Sequence, residues 1–192
     1  GRYSLTTPVE GMRRLFDFPE LPNLAPRYNI APTQEAPVIR RDEQCAHHLA
    51  VLRWGLIPSW AKDRAIGNRL INARSETVTS KPAFRGAFRS RRCLVPADGF
   101  YEWQSEGGKK LPWRIGLTDN APFAFAGLWE RWQDKAENAG VESFTIITTD
   151  ANETVRPIHG RMPVILAPGD HEQWLAASDP ARLAGLLRPY AG

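Results

Sequence analysis

Cysteine is scarce in this sequence: Cys45 and Cys93 are the only two among 192 residues. Two cysteines are too few for a disulfide framework or for a cysteine-rich zinc site. No apolar run approaches the roughly 18 residues of a membrane span, and the chain does not open on the apolar segment of a signal peptide. These absences exclude a disulfide-stabilised secreted domain and a helical membrane protein, and they predict a protein of the reducing cytosol.

Signatures of bound ligands are missing as well. The four histidines, at positions 47, 48, 159 and 171, do not have the spacing of a zinc site, and the adjacent His47 and His48 would point to opposite faces of a strand. There is no glycine-rich phosphate loop and no Gly-x-Ser-x-Gly turn. We therefore expect neither a metal ion nor a cofactor.

Arginine is abundant by contrast, with 20 of the 25 basic residues. Residues 1–114 carry 19 Lys and Arg against 11 Asp and Glu, whereas residues 115–192 carry 6 against 10. The densest cluster contains Lys81, Arg85, Arg89, Arg91 and Arg92. Such a cluster is most often a solvated surface. With seven tryptophans in the chain it also favours a nucleic-acid partner, because single strands are held by cationic grooves and aromatic stacking.

Short apolar runs bounded by Gly and Pro dominate the sequence and predict one α+β domain over residues 1–192 with a mainly antiparallel, barrel-like β core. The expected strands lie at 48–54, 93–95, 100–104, 113–117, 123–129, 144–148 and 164–166. A helix is predicted after Thr7-Pro8, because Val9, Met12 and Phe16 recur at helical spacing. The prolines between positions 19 and 32 indicate an extended loop, and further short helices are expected at about 152–156, 171–177 and 180–187.

Three polar residues lie where chemistry is plausible, and each also has an ordinary structural explanation. Asn72 follows a strand-like run and is typical of a turn. Glu102 lies between aromatic residues, so it is either on the solvent face of a strand or in an apolar site that raises its pKa. His159 is in a proline-bracketed loop beside Arg161, which favours acid–base chemistry only weakly. Cys93 is expected to be an inert buried thiol because its strand is apolar.

Several segments in a fixed order make the sequence resemble the SOS response-associated peptidase (SRAP) family. After the opening GRY at 1–3, the similar segments are RYNIAP at 27–32, WGLIPSW at 54–60, INARSET at 71–77, RRCLVPADGFYEW at 91–103, FAGLW at 125–129 and IHGRMPVIL at 158–166. Any one segment is a weak signal, whereas the ordered series is specific. It covers most of the chain.

The resemblance implies that the protein captures abasic sites in single-stranded DNA through its N-terminal residue. Family members expose an N-terminal cysteine whose amine and thiol both add to the aldehyde of the opened sugar, which gives a thiazolidine. An ordinary α-amine has a pKa of about 8 and is partly neutral at cytosolic pH, unlike a lysine amine near about 10.4. An abasic site in a single strand also needs no unpairing before it is reached.

By matched position, the resemblance assigns roles to residues of this chain. Asn72 would hold the N-terminal amine, Glu102 would act as its general base, and His159 would act as acid or base near the sugar oxygen. The resemblance implies a further set of DNA contacts, by hydrogen bonding, phosphate binding or stacking: Arg2, Asn29, Pro32, Trp60, Arg74, Trp103 and Arg161.

The sequence departs from the family pattern at both ends. The family cysteine is expected immediately before Gly1, which here takes the reactive position, and the family usually continues beyond Gly192 through another strand. Two other functions stay open: a thiol peptidase that processes its own N-terminus, and a non-covalent reader of single-stranded or modified DNA. We expect a monomer without membrane partners, associated with the nucleoid in a bacterium.

Overall fold

The computed structural model describes residues 1–134 and 139–192. Its strands are β1 (Arg2–Leu5), β2 (Arg27–Ile30), β3 (Glu35–Arg41), β4 (His47–Trp54), β5 (Asn72–Arg74), β6 (Arg92–Ala97), β7 (Gly99–Glu106), β8 (Lys109–Ile115), β9 (Phe123–Asp134), β10 (Ala139–Asp150), β11 (Arg161–Pro163) and β12 (Ile165–Leu166). Its α-helices are α1 (Val9–Phe16), α2 (Arg85–Ser90), α3 (His171–Ala176) and α4 (Pro180–Leu186), and two 3-10 helices span Arg64–Arg69 and Pro168–Asp170. Within the described residues, no helix is long and apolar enough to cross a membrane.

Five strands close into a barrel. The antiparallel neighbours β4, β3, β6, β9 and β10 follow one another, and a short parallel pairing between β10 and β4 completes the ring, with Phe144 opposite Trp54. Closure leaves these strands without free edges and encloses a core of aliphatic and aromatic side chains. At Gly127 a Cβ atom would lie 2.7 Å from Val95 Cγ2 and 2.8 Å from Cys93 Sγ, so glycine is needed for this packing.

A second, four-stranded sheet in the order β2-β1-β7-β8 carries the start of the chain. β1 pairs antiparallel with β7, with Arg2 opposite Tyr101 and Ser4 opposite Gly99. β7 follows β6 after the single residue Asp98, so the chain passes directly from the barrel into this sheet. The arrangement fixes the position of the N-terminus relative to the barrel.

The α+β class and the barrel-like β core are confirmed, and all seven expected strands overlap observed ones. Helix α1 has Val9, Met12 and Phe16 on its buried face, although Pro8 occupies the cap position and Thr7 gives no side-chain cap. The helix expected at 152–156 is wrong. Asn152 caps hydrogen-bonded turns, but Pro157 disfavours helical geometry in the residue before it, and the segment does not continue as a helix.

The two adjacent histidines of β4 face apart, as the sequence predicts. His47 bonds the Phe16 carbonyl and Glu172, whereas His48 lies between Glu20 and Asp42. In the part of the chain that the structure describes, no group of three or more His, Cys, Asp or Glu side chains is arranged so that it could hold a metal ion.

Candidate active site at the N-terminus

A cavity of about 230 Å³ lies between the start of the chain and one end of the barrel. Its lining combines polar groups from four segments that are distant in sequence: Gly1 and Arg2 of the first strand region, Asn72 and Arg74 of β5, Glu102 of β7, and the 159–163 segment. Aromatic residues form much of the remaining wall: Tyr3, Trp54, Phe100, Tyr101 and Phe125. The cavity therefore brings titratable groups against an apolar surface.

The aromatic wall is packed edge to face. The ring of Tyr3 lies 5.2 Å from that of Trp54 and 5.9 Å from that of Phe125, and Phe100 packs on Phe125 at 6.0 Å. Tyr3, Trp54 and Phe125 are almost fully buried. Burial raises the pKa of the Tyr3 hydroxyl far above its ordinary range, so this group stays neutral.

The N-terminus reaches the cavity through the pairing of β1 with β7. Arg2 lies opposite Tyr101, so extending the register by one residue sets Gly1 opposite Glu102. Both residues line the cavity. The amine at Gly1 and the carboxyl of Glu102 therefore face the same small volume.

Asp98 anchors this first strand. Its carboxylate accepts hydrogen bonds from Ser4 Oγ at 2.6 Å, from Thr6 Oγ1 at 2.7 Å, and from the backbone amides of Thr6 and Thr7. Arg114 adds an ion pair at 3.2 Å. Burial alone would raise the pKa of Asp98, but these hydrogen bonds and the Arg114 charge outweigh it and hold the pKa below its ordinary value. The ionised Asp98 thus ties β1 to the corner between β6 and β7.

Glu102 is half-buried, and its pKa is raised. The main cause is burial, which disfavours the carboxylate; the positive charges of His159 and the N-terminal amine offset part of the effect. A carboxyl group with a raised pKa is a stronger base than an ordinary carboxylate, which suits it to accept a proton and return it. Of the two explanations that the sequence leaves open for Glu102, the structure favours the apolar site.

Asn72 and Arg74 share one face of β5. Alternation along the strand turns both toward the cavity, while Ala73 between them is fully buried. The strand runs parallel to β10, with Asn72 opposite Ile146. The preceding carbonyl, of Ile71, accepts hydrogen bonds from Trp54 Nε1 at 2.9 Å and from the Ile146 amide at 3.1 Å. Asn72 is thus supported by fixed backbone rather than by a free turn.

His159 is held through one ring nitrogen. Its Nδ1 lies 3.1 Å from the amide nitrogen and 3.0 Å from the carbonyl oxygen of Arg161. Among the described residues Nε2 has no partner, so it is available to a ligand in the cavity that His159 lines. This arrangement suits an acid–base group.

Arg161 is already engaged by carboxylates. Its guanidinium forms a bidentate pair with Glu76 and a second ion pair with Asp150 at 2.9 Å, and it donates to the Thr148 carbonyl at 2.9 Å. The bond from Arg161 lowers the pKa of Glu76 to about 2. The pairing of β11 with β10 sets Arg161 opposite Asp150 and holds its backbone, which in turn holds the ring of His159.

The cavity collects seven of the eleven residues that the sequence proposes for the site: Gly1, Arg2, Asn72, Arg74, Glu102, His159 and Arg161. Asn29 lies beside them, because its side-chain oxygen accepts a hydrogen bond from Arg2 at 3.4 Å. Pro32 and Trp103 do not line this cavity, and Trp60 lines a separate groove. Three residues that support the site, Trp54, Glu76 and Asp98, lie within the matched segments but have no expected role, since the pattern does not reveal their partners.

Comparisons with known proteins find a family model, named relatives and a solved structure that are similar to this chain. The family model described as SOS response associated peptidase (SRAP) matches residues 1–192. Abasic site processing protein YoaM of Bacillus subtilis (strain 168) is 46% identical over 197 residues, covering 99% of this chain and 86% of that protein. Abasic site processing protein YedK of Escherichia coli (strain K12) is 34% identical over 160 residues, covering 83% of this chain and 68% of YedK. A crystal structure of a protein from Bacteroides thetaiotaomicron has a TM-score of 0.91 at 31% identity, covering 98% of this chain and 87% of that one.

Proposed function

Because the chain belongs to the SOS response associated peptidase (SRAP) family, we propose that it processes abasic sites in DNA by covalent capture at its N-terminus. The names of its relatives support abasic sites as the substrate. One observation carries the covalent step: the N-terminal amine, Asn72, Glu102 and His159 line one cavity.

The proposed reaction joins the N-terminal amine to the aldehyde of the opened sugar. The amine nitrogen adds to the aldehyde carbon while Glu102 takes the proton that the nitrogen loses. Glu102 returns this proton to the resulting alkoxide, which gives the carbinolamine. It then carries the second amine proton to the carbinolamine hydroxyl, which departs as water and leaves an imine. The raised pKa of Glu102 suits both transfers, because it makes the carboxylate a stronger base than an ordinary one.

Asn72 and His159 take the two remaining roles. Asn72 orients the amine through its side-chain amide, because β5 presents it to the cavity beside Arg74. His159 exchanges a proton with the sugar oxygen through Nε2, because Nδ1 is held by Arg161. The sugar thus meets a base on one side of the cavity and a second acid–base group on the other.

A cysteine placed directly before Gly1 would make the link durable. Its thiol would add to the imine carbon, and the thiol proton would pass to the imine nitrogen, which closes a thiazolidine ring without a leaving group. With Gly1 as the terminal residue, the reaction stops at the imine, which water reverses. The two forms therefore differ in the stability of the product.

Single-stranded DNA fits the surroundings of the cavity. Arg2 and Arg74 supply cations at its lining, and Asn29 supports Arg2. Pro32 and Trp103 lie outside the lining and are proposed to contact neighbouring bases. Arg161 would contact a phosphate only by exchanging part of its pairing with Glu76. A DNA substrate also agrees with the expected cytosolic or nucleoid location and needs no cofactor.

The test is adduct formation with a single-stranded oligonucleotide that carries one abasic site, read on a denaturing gel. Protein with cysteine before Gly1 should give a heat-stable adduct, whereas protein that begins at Gly1 should give one only after borohydride reduction. Glu102→Gln should slow capture by about 100-fold or more, as expected for loss of a general base. Glu106→Gln, an exposed change on the same strand, is the matched control and should have no effect.

The outcomes separate the alternatives. If folded protein of either form binds the oligonucleotide in a salt-dependent manner but gives no adduct, the function is that of a non-covalent reader and covalent capture is refuted. If Glu102→Gln and Glu106→Gln react equally fast, Glu102 is not the base.

The same cavity also suits self-processing, because a peptide bond before the reactive residue would meet Glu102 and His159. An N-terminal extension before the cysteine should then be lost on incubation, and Glu102→Gln should retain it. Intact mass distinguishes protein that has lost the extension from protein that retains it. Retention of the extension by the unsubstituted protein would refute self-processing without affecting capture.

A further inference from the structure

A side-chain amide outside the reactive cavity joins the two segments that carry its acid–base groups. Gln104 is on β7, two residues after Glu102, and it does not line the cavity. Its Nε2 donates a hydrogen bond to the Pro157 carbonyl at 3.1 Å. Pro157 comes two residues before His159. Gln104 therefore connects the strand of Glu102 to the loop of His159.

Trp113 fixes the orientation of this amide. The indole Nε1 of Trp113 on β8 donates a hydrogen bond to Gln104 Oε1 at 3.0 Å. An indole N–H can only donate, whereas a side-chain amide has one accepting end and one donating end. The oxygen of Gln104 must therefore face Trp113, and its nitrogen is directed to Pro157. The two hydrogen bonds thus form a chain that can run in only one direction.

The pairing of β7 with β8 places these groups beside the proposed base. Glu102 lies opposite Trp113, and Gln104 lies opposite Leu111. Because cross-strand pairs share a face and side chains alternate along a strand, all four side chains are on the same side of the hairpin. Trp113 reaches Gln104 along the diagonal between the two pairs, which is within the range of an aromatic side chain. The strand that presents Glu102 to the cavity thus also carries the group that bonds to the His159 loop.

Gln104 supplies the hydrogen bond between the His159 loop, residues 151–160, and this sheet. The amides of Ile158 and His159 both donate to the Val155 carbonyl, at 2.8 and 2.9 Å, but those bonds close turns inside the loop itself. Among the described residues, the bond from Gln104 is the one hydrogen bond between this loop and β7 or β8. Without it, no hydrogen bond would fix the distance between the loop and the strand of the proposed base.

The ring of His159 follows the position of the loop backbone. Its Nδ1 is bonded to the amide and carbonyl of Arg161, so Nε2 is the nitrogen that can face a ligand. A shift of the loop therefore moves Nε2 as well. Proton transfer needs the two heavy atoms within about 2.6–3.2 Å of each other, so a displacement of about 1 Å is enough to slow it.

We propose that Gln104 is a positioning residue for the capture reaction: it holds the His159 loop at a fixed distance from Glu102, and Trp113 orients its amide. Gln104 acts through His159 rather than on the sugar, because it does not line the cavity. The inference rests on the proposed function for the reaction that His159 serves. The contact between Gln104 and the loop is independent of that reaction.

The first test is the single-turnover rate of capture at saturating abasic oligonucleotide, with cysteine before Gly1. Gln104→Ala should lower this rate by about 10- to 100-fold, because the displaced ring loses much of its contribution as an acid–base group. Gln104→Glu keeps the size and the acceptor for Trp113 but, when ionised, cannot donate to Pro157, and it should be at least as slow. The matched control is Gln44→Ala, in the exposed turn between β3 and β4, which should react at the unsubstituted rate. Equal rates for Gln104→Ala and Gln44→Ala would overturn the proposal.

A double-mutant cycle with His159 separates positioning from a general loss of structure. His159→Ala removes the group that Gln104 positions, so adding Gln104→Ala to it should lower the rate further by less than about 2-fold. If Gln104→Ala slows capture by the same large factor with and without His159, its effect does not pass through that ring and the proposal is refuted.

Trp113 gives a graded variant. Trp113→Phe keeps an aromatic ring but removes the donor that orients the amide, so the rate should fall by about 5-fold, as expected for loss of one hydrogen bond. An unchanged rate would refute the role assigned to Trp113.

Direct contact between Gln104 and DNA is the competing explanation. Fluorescence anisotropy with an undamaged single strand should give the same affinity for Gln104→Ala and for the unsubstituted protein. An affinity that falls by as large a factor as the capture rate would identify a DNA contact and refute positioning.

Hydrogen exchange measures the loop without the reaction. In Gln104→Ala the amides of Ile158 and His159 should exchange about 5-fold faster, because the loop loses its hydrogen bond to the sheet, while the amides of β9 keep their rates. Unchanged exchange in the loop would overturn the proposal even if capture is slowed. No adduct from the unsubstituted protein would refute the capture reaction and leave the exchange result standing, so the two failures are distinguishable.

Discussion

Replacing Asp98 tests how the N-terminal strand is held beside the cavity. Asp98→Ala removes the acceptor for the Ser4 and Thr6 hydroxyls and for the backbone amides of Thr6 and Thr7, and it leaves Arg114 without its partner. Removing one partner from such a buried charged network costs about 3–5 kcal/mol. For a chain of this size, that loss lowers the unfolding temperature by roughly 6–20 °C.

Two milder substitutions should lower the free energy of unfolding by smaller amounts. Asp98→Asn keeps one acceptor oxygen and should cost about 2 kcal/mol, whereas Ser4→Ala removes one hydrogen bond and should cost about 1 kcal/mol. Urea denaturation of the three variants at neutral pH gives the series directly. A free energy of unfolding for Asp98→Ala within about 1 kcal/mol of the unsubstituted protein would refute the anchoring role.

The pH dependence gives an independent check. The folded pKa of Asp98 is below the unfolded value of about 3.9, so its contribution is fully present above that pH and is lost as the pH falls through the folded pKa. The stability gap between Asp98→Asn and the unsubstituted protein should therefore narrow in acid. A gap that is constant down to strong acid would mean that the carboxylate charge is not what holds the strand.

Three further outcomes follow from the titrating groups. Burial raises the pKa of Glu102, so its ionisation destabilises the folded state above the unfolded-state pKa of about 4.3. Glu102→Gln should therefore resist urea better than the unsubstituted protein at neutral pH, while it loses capture. Equal or lower stability would contradict the burial of this carboxyl group. Cys93 is fully buried and burial raises its pKa, so a thiol reagent should label only the exposed Cys45 in folded protein, and mass spectrometry of native labelling checks this. The Glu76 carboxylate stabilises the fold above about pH 4.3, and this stabilisation is lost as the pH falls toward about 2. In Glu76→Gln the free energy of unfolding should therefore fall less steeply with pH in this acid range, and only modestly so because the pair with Arg161 is partly exposed. A fall as steep as that of the unsubstituted protein would contradict this.

Much of the fold follows from local patterns, and the exceptions have physical causes. Apolar runs with clear boundaries predict β4, β6, β7, β9 and β10. β3 escapes prediction because Pro37 interrupts it; in the structure β3 pairs with β6 only at Ile39, so Pro37 faces no partner on that side. The segment at 152–156 has a good cap but meets Pro157 too soon.

The site depends on pairing between strands that are distant in sequence, and such pairing cannot be recognised from a single sequence. The resemblance predicts Asn72, Glu102 and His159, and the pairing of β1 with β7 brings the first residue to them. Asp98 lies in the same matched segment as Glu102, but its anchoring role is not visible in the sequence, because its partners Ser4 and Thr6 are more than 90 residues away. Ordered motifs indicate which residues meet, but only the fold reveals which groups hold them.

The location of the covalent bond tests the central claim most directly. Protein that begins at Gly1 is reacted with single-stranded abasic DNA, reduced with borohydride, digested, and analysed by peptide mass spectrometry. The account predicts that the reduced sugar is attached to the α-amine of Gly1. Attachment to a lysine side chain instead, with the N-terminal peptide unmodified, would contradict capture at the N-terminus.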